Sequence, residues 1–366
     1  MAGIYVHIPF CQSRCIYCSF YSTVDLKLRQ RYVDAVCHEW LLRKDELSEP
    51  TETIYFGGGT PSQLTTSQLQ QVLSVLPTGA KEVTLECNPD DVTDDFADAI
   101  SHMAVSRISM GAQTFDDNRL RFLHRRHTAN QVSDAVVRLR QAGIRNISID
   151  LMYGFPAETL DEWRRDIDAA LALNVEHISA YCLSIEEGTI LHRMGIAPCD
   201  EEQELQMYEL LTDLLTVAGY EHYEISNFAL KTSNGDSWRS QHNSSYWHEV
   251  PYIGLGAAAH SFSGRYRQWN VSDINRYIKA IEQGQIPCER ELLDDDTRYN
   301  DLVTVALRTS DGLDLNLLSE HHRCYCLKEA QRYINYGLLR RDGERLILTR
   351  KGLFVSNDVM SSLIYV

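Results

Sequence analysis

Over the first two-thirds of the chain, short apolar runs rich in β-branched and aromatic residues alternate with longer stretches whose apolar residues recur at helical spacing. The runs GIYVHIPF (3–10), TIYFGG (53–58), EVTLEC (82–87), RISMGA (107–112), NISIDLMYG (146–154) and HISAYCLS (177–184) read as strands. The stretches 28–47, 66–76, 93–103, 131–142, 160–173 and 202–218 read as amphipathic helices. Six such units predict a parallel sheet covered by helices. A complete (β/α)8 barrel needs two more units, and an open doubly wound sheet fits the alternation as well. Polar candidates sit at strand ends all along the chain, which is how barrels place their sites. The expected fold is therefore α/β, an incomplete (β/α)6 TIM-like barrel over residues 1–225.

The pattern then changes. Residues 226–270 read as loop-like, rich in Ser, Asn, Gly and aromatics, and 226–289 as a connecting segment. From 290 a compact tail follows, with helices expected at 297–308, 315–322 and 326–337. Asp342-Gly343 between apolar runs signals a hairpin turn. Three helices and a hairpin predict a small, mostly α, winged-helix-like domain over 290–366. From Thr297 onward there are ten Lys and Arg against eight Asp and Glu. That balance is too weak to argue for DNA, so the tail reads as a cap packed on the barrel.

Composition narrows the function classes. The 366-residue chain has a formal net charge of −16, which repels nucleic acid and anionic membrane over most of its surface. No run reaches the ~18 apolar residues of a membrane span. The start, MAGIYVHIPF, lacks the marks of a secretory signal, and the protein is expected in the cytoplasm. Ten cysteines in such a compartment are expected as thiols rather than disulfides.

Three of them, Cys11, Cys15 and Cys18, lie within eight residues as C-x3-C-x2-C. Zinc sites usually pair four ligands, and no second pair follows nearby. Three thiolates on a short loop suit an iron–sulfur cubane, in which one iron would stay open to a small chelating molecule. A glycine run, YFGGGTPSQL (55–64), follows the second strand and offers close backbone approach. Polar groups stand near successive strand ends: Glu86 in LECNP, Gln113 in SMGAQTF, Arg125 in LHRRH and Asp150 in SIDLMYGFP. Carboxylates suit a cationic ligand, and an arginine suits a carboxylate.

The cysteine spacing, with the aromatic Tyr17 before the last cysteine, resembles the radical S-adenosylmethionine (SAM) superfamily. The resemblance implies a 4Fe-4S cluster held by Cys11, Cys15 and Cys18, with SAM on the open iron. YVHIPFC, GGGTP, GAQTF and DLMYGFP further resemble the oxygen-independent coproporphyrinogen III oxidase family over essentially the full length. That likeness implies contacts from Tyr5, Gly58 and Glu86 to the SAM on the cluster. It implies contacts from Tyr17, Gly59, Thr60, Gln113, Arg125 and Asp150 to a second SAM.

Two departures redirect the reading. The oxidase pattern carries a further cysteine two residues after the third; here that position is Phe20. The segment His242-Asn243-Ser244-Ser245-Tyr246-Trp247 is similar to the HNxxYW pattern of the HemW branch, whose members are regarded as haem chaperones. Imidazole is a common axial ligand of haem iron, and Tyr246 and Trp247 offer flat faces to a porphyrin. His242 is accordingly expected as a haem ligand, with Tyr246 and Trp247 beside it. EHHRCYC (320–326) is metal-like but shares a helix with apolar neighbours and reads as structural, as do the scattered Cys37, Cys87, Cys182, Cys199 and Cys288. The resemblance implies a binding and delivery protein with no assigned catalytic residue. Its expected partners are haem and apo-haemoproteins of the respiratory chain, with transient contact at the membrane, no nucleic acid and a homodimer among the expected states. Radical decarboxylation of coproporphyrinogen III is the alternative.

Overall fold

A computed structural model of the chain describes residues 1–232 and 237–366. Six strands, β1 (Ala2–Ile8), β2 (Thr51–Gly58), β3 (Glu82–Cys87), β4 (Arg107–Gln113), β5 (Asn146–Tyr153) and β6 (His177–Cys182), lie side by side in chain order and pair in parallel. The helices between them begin with strong caps. Thr65 and Thr159, for example, each exchange hydrogen bonds with the residue three positions on. The row does not close on itself, since β1 and β6 do not pair, as an incomplete barrel requires. They match the predicted runs to within two residues.

Alternation along each strand separates two environments. Ile4, Val6, Ile54, Phe56, Val83, Leu85, Ile108, Met110, Ile147, Ile149 and Ile178 belong to one continuous core beneath the helices. Residues of the opposite parity face the concave side and are polar. Register aligns Tyr5 with Tyr55, Tyr55 with Thr84, and Thr84 with Arg107 in one row. Glu86 aligns with Ser109, and Ser109 with Ser148, in the next. The barrel interior is thus a polar cleft walled by an apolar shell.

The segment expected to be loop-like is built into this sheet. β7 (Tyr220–Glu224) and β8 (Asn227–Leu230) extend it beyond β6. β9 (Tyr252–Leu255) joins β1 in parallel at the other edge, and β10 (His260–Phe262), β11 (Tyr266–Asn270) and β12 (Cys288–Leu292) continue it antiparallel. These strands have only three to five residues each. Their pairing with distant partners, rather than their own periodicity, makes them strands.

A buried ion pair fastens this added edge to the barrel. Arg43 and Glu39, on the helix Arg29–Arg43, are both fully buried and 3.0 Å apart. Arg43 also donates to the Gly254 carbonyl (2.9 Å) and the Ser261 hydroxyl (3.1 Å). Glu39 accepts from the Gly256 amide (2.8 Å), Asn270 (2.7 Å) and the Tyr277 hydroxyl (2.6 Å). One helix therefore holds β9, β10, β11 and the helix Ile274–Glu282.

The tail forms its own core around Leu302, Val303, Leu315, Cys326, Leu339 and Leu346. The hairpin of β14 (Leu339–Asp342) and β15 (Arg345–Leu348) turns at Gly343 as predicted, and β13 (Leu313–Asp314) pairs with β15. The helices expected at 315–322 and 326–337 are instead a short 3-10 turn, Leu315–Leu317, and one long helix, Glu320–Asn335, capped by Ser319. Two further helices, Arg350–Phe354 and Ser356–Leu363, complete the module. Among the described residues no helix is long and apolar enough to cross a membrane.

Replacing Glu39 by Ala leaves the buried Arg43 guanidinium with Glu46 (3.0 Å) as its remaining carboxylate partner and orphans three buried donors. A loss of about 3–5 kcal/mol of stability is expected in denaturant unfolding. Wild-type stability in Glu39→Ala would show that the clamp does not hold the edge.

Candidate functional site

The C-terminal ends of β2 to β5 open on a cavity of about 540 Å³. The loop after β1 closes its other side and brings Cys11, Cys15 and Cys18 to it. That loop is pinned along its length. Cys11 N donates to the Thr23 carbonyl (2.9 Å), and Ile16 N to the Leu123 carbonyl (3.3 Å). The Ile16 side chain is buried against Leu123, Met152 and Leu191. All ten cysteines are free thiols. The Thr60 hydroxyl points at the Cys11 sulfur (3.6 Å), and the Arg125 guanidinium at the Cys15 sulfur (3.6 Å). Burial pushes the Cys11 and Cys18 thiols up. The three stand round a cavity rather than round a point; among the described residues no three His, Cys, Asp or Glu side chains converge as a single-ion site would.

The other polar candidates meet here too. Tyr17, Gly58, Gly59 and Thr60 line the cavity, as do Glu86, Gln113, Arg125 and Asp150. Gln113 is reached through a bulge in β4 and takes a left-handed φ of +69°, a strained geometry typical of functional positions. Burial pushes the Glu86 carboxyl up to about 7, offset in part by the Tyr55 hydroxyl (2.7 Å) and by Arg107. Burial likewise raises Asp150. Arg107 is itself buried below them, its Nε and Nη1 without hydrogen-bond partners among the described residues. Asn88, not singled out in the sequence although it lies in LECNP, accepts from Arg125 (2.8 Å) and reaches Thr60 (3.4 Å). It joins the donors beside two cysteines into one network.

The glycine run was expected to admit a ligand. Its tightest contacts are with the protein. A Cβ on Gly58, whose φ is +110°, would lie 2.5 Å from the His7 ring. One on Gly59 would lie 2.8–3.0 Å from the backbone of residues 8–10, where Gly59 N also bonds the Ile8 carbonyl (2.9 Å). The run seats the start of the cysteine loop.

Tyr5 is the exception among these candidates. It lies outside the first cavity and lines a second, open depression of about 740 Å³ together with Phe20, Tyr21, Tyr246, Tyr252 and His260. Arg14 and Phe20, on the cysteine loop, line both cavities, so this loop is a shared wall.

The HNxxYW segment forms the helix Gln241–Trp247, capped by Ser240, with the Gln241 and His242 amides on the buried Glu82 carboxylate (3.1 and 3.0 Å). His242 is fully buried. Its Nδ1 pairs with the Thr53 hydroxyl (2.8 Å), its Nε2 with the Tyr246 hydroxyl (2.8 Å), and its ring stacks on Tyr55. With both nitrogens engaged in the core, His242 offers no ligand position in this conformation and instead orients Tyr246. Trp247 lies beneath the Arg308 guanidinium, 5.3 Å from ring centre, and lines neither cavity. In the tail, His322 binds Asp296 (2.9 Å), His321 meets the Tyr365 hydroxyl (2.9 Å) and Cys326 is core, which bears out a structural role for EHHRCYC.

Free thiols with donors aimed at their sulfurs, and a cavity bearing two carboxylates and an arginine, suit a thiolate-held cluster and a cationic, carboxylate-bearing ligand. The chain belongs to the radical SAM superfamily, whose description matches residues 5–170, and within it to the branch of proteins named "Heme chaperone HemW". The relative of that name from Lactococcus lactis is 32% identical, with 98% of this chain and 96% of the relative aligned. That from Bacillus subtilis is 30% identical over 100% and 99%. The Escherichia coli coproporphyrinogen III oxidase HemN, described as a radical SAM enzyme, superposes with a TM-score of 0.84 over 99% of this chain and 90% of its own, at 20% identity. That likeness shows the fold. The superfamily brings a 4Fe-4S cluster and SAM as cofactors.

Gly59→Ala must push the cysteine loop from its seat. A loss of about 1–3 kcal/mol is expected in thermal or denaturant unfolding of the cluster-free protein; unchanged stability would show that the close approach can relax.

Proposed function

We propose that this protein binds haem and passes it to apo-haemoproteins, with respiratory-chain enzymes as recipients met by transient contact at the membrane from the cytoplasmic side. Cys11, Cys15 and Cys18 hold the 4Fe-4S cluster in this reading. Tyr5, Gly58 and Glu86 attend the SAM on its open iron. Tyr17, Gly59, Thr60, Gln113, Arg125 and Asp150 serve a second SAM. When bound, such a cluster supplies an electron and a chelation point for SAM. The cluster and SAM serve regulation, dimerisation or release of haem.

One observation carries the reading: a wide aromatic depression lies directly across the cysteine loop from the cofactor cavity. Its volume falls in the range of about 300–1,000 Å³ usual for ligand sites. Flat aromatic side chains suit the faces of a porphyrin. Phe20, 67% exposed, stands at this wall as an apolar surface where the oxidase pattern has a thiol. Membership of the HemW branch supports the same conclusion.

The test is anaerobic. Reconstituted protein is titrated with haem, with and without SAM, and separately given SAM, reductant and coproporphyrinogen III. Stoichiometric haem binding without turnover is expected. Sustained formation of protoporphyrinogen would establish the oxidase reaction instead.

The Glu86 carboxyl, held near 7 by burial, gives a pH signature. It is neutral below that value and anionic above, and only the anion attracts a cationic ligand. SAM affinity is expected to rise about tenfold from pH 6 to pH 8, and Glu86→Gln to lower affinity at pH 8 and flatten the profile. An equally steep profile in Glu86→Gln would assign the dependence to another group.

A further inference from the structure

The HNxxYW histidine is locked in the core, and of the two histidines lining the depression His7 is buried with both nitrogens engaged, by the Tyr5 hydroxyl and the Tyr21 carbonyl (3.1 Å each), which leaves one uncommitted. His260, at the start of β10, is exposed and lines it. Neither ring nitrogen has a hydrogen-bond partner among the described residues, and the ring rests in parallel against Trp269, 6.1 Å between centres. Its backbone is fixed from below: Gly254 packs on the His260 carbonyl and main chain, and the neighbouring Ser261 hydroxyl bonds both the Gly254 amide (2.9 Å) and Arg43 (3.1 Å). The buried clamp thus holds a free imidazole at the edge of an aromatic cavity.

The surroundings complete a recognisable chemistry. Tyr246 and Tyr252 meet edge to face at 4.7 Å and form one rigid wall. Phe20 provides apolar surface from the opposite, cysteine-loop side. Arg14 contributes a cation on the same loop; among the described residues its one hydrogen bond is a long one to the Phe20 carbonyl (3.5 Å). An uncommitted imidazole, flat apolar walls and a cation at the rim match an iron porphyrin's metal, ring and propionate respectively.

We infer that His260 is the axial ligand of haem bound in this depression, with Arg14 pairing a propionate and His242 acting only as a positioning residue that holds Tyr246. The inference rests on the haem-binding reading and names its site. Burial and Arg267 lower the His260 pKa, which keeps the imidazole in its neutral, ligating form at neutral pH.

The experiment compares wild type, His260→Ala and His242→Ala by haem titration, absorption and electron paramagnetic resonance spectroscopy, with circular dichroism as the fold check. In wild type one haem with an imidazole-ligated spectrum is expected. His260→Ala, an exposed position, is expected to keep the fold, lose that signature and weaken binding at least about tenfold, with added imidazole restoring the spectrum. His242→Ala is expected to retain the signature. A wild-type spectrum and affinity in His260→Ala overturns the inference while leaving haem binding standing. Loss of the signature in folded His242→Ala with its retention in His260→Ala restores the motif histidine as ligand. Absence of haem binding by wild type, in protein whose cluster is intact, overturns the haem-binding reading and the inference with it.

Discussion

A carboxylate and a guanidinium sealed from water hold the architecture together. Neither Glu39 nor Arg43 could be buried alone, since an unpaired charge in the interior costs several kcal/mol. Each is therefore saturated: by the other, by backbone groups around Gly254 and Gly256, and by the side chains of Ser261, Asn270 and Tyr277, with Glu46 as a second carboxylate on Arg43. The requirement to satisfy these two ions dictates where residues 252–277 lie. That segment supplies a wall of the aromatic depression, so the position of Tyr252 and His260 follows from an ion pair on a helix two hundred residues earlier in the chain.

The second constraint is parity. In β2 to β5 one face is apolar and feeds the shell, and the other is polar and faces the cleft. Burying groups such as Tyr55, Thr84 and Arg107 in a barrel interior departs from the packed apolar layers usual there. It leaves an interior that hydrogen-bonds, and Glu86 and Asp150 meet the cavity because they share that parity. The bulge before Gln113 breaks the alternation where the chain must deliver an amide to the mouth.

Legibility in the sequence followed these same physics. The six long strands were readable because each has its own apolar run bounded by polar turns, and the C-x3-C-x2-C loop was readable because its chemistry is local. Residues 227–230 and 252–270, expected as loop, were misread because strands of three to five residues carry too little periodicity. Only distant partners make them strands, and no pattern in the sequence announces a partner. The tail's long helix was split for a related reason: Ser319 caps it within a stretch that already looked helical. For the glycine run, the need for close approach was legible, whereas the object approached was not. His242 was a plausible ligand as a residue type, but both its nitrogens are satisfied by residues invisible from its own motif, Thr53 among them. His260 belongs to no motif, and its significance arises only from what surrounds it in space.

The cysteine loop has one further property, that of a partition wetted on both sides. Arg14 and Phe20 face two chambers at once. If an occupant on one side shifts the loop and so changes affinity on the other, the second occupant must change the affinity of the first by the same factor. Two occupants that never touch can thereby act as each other's effectors.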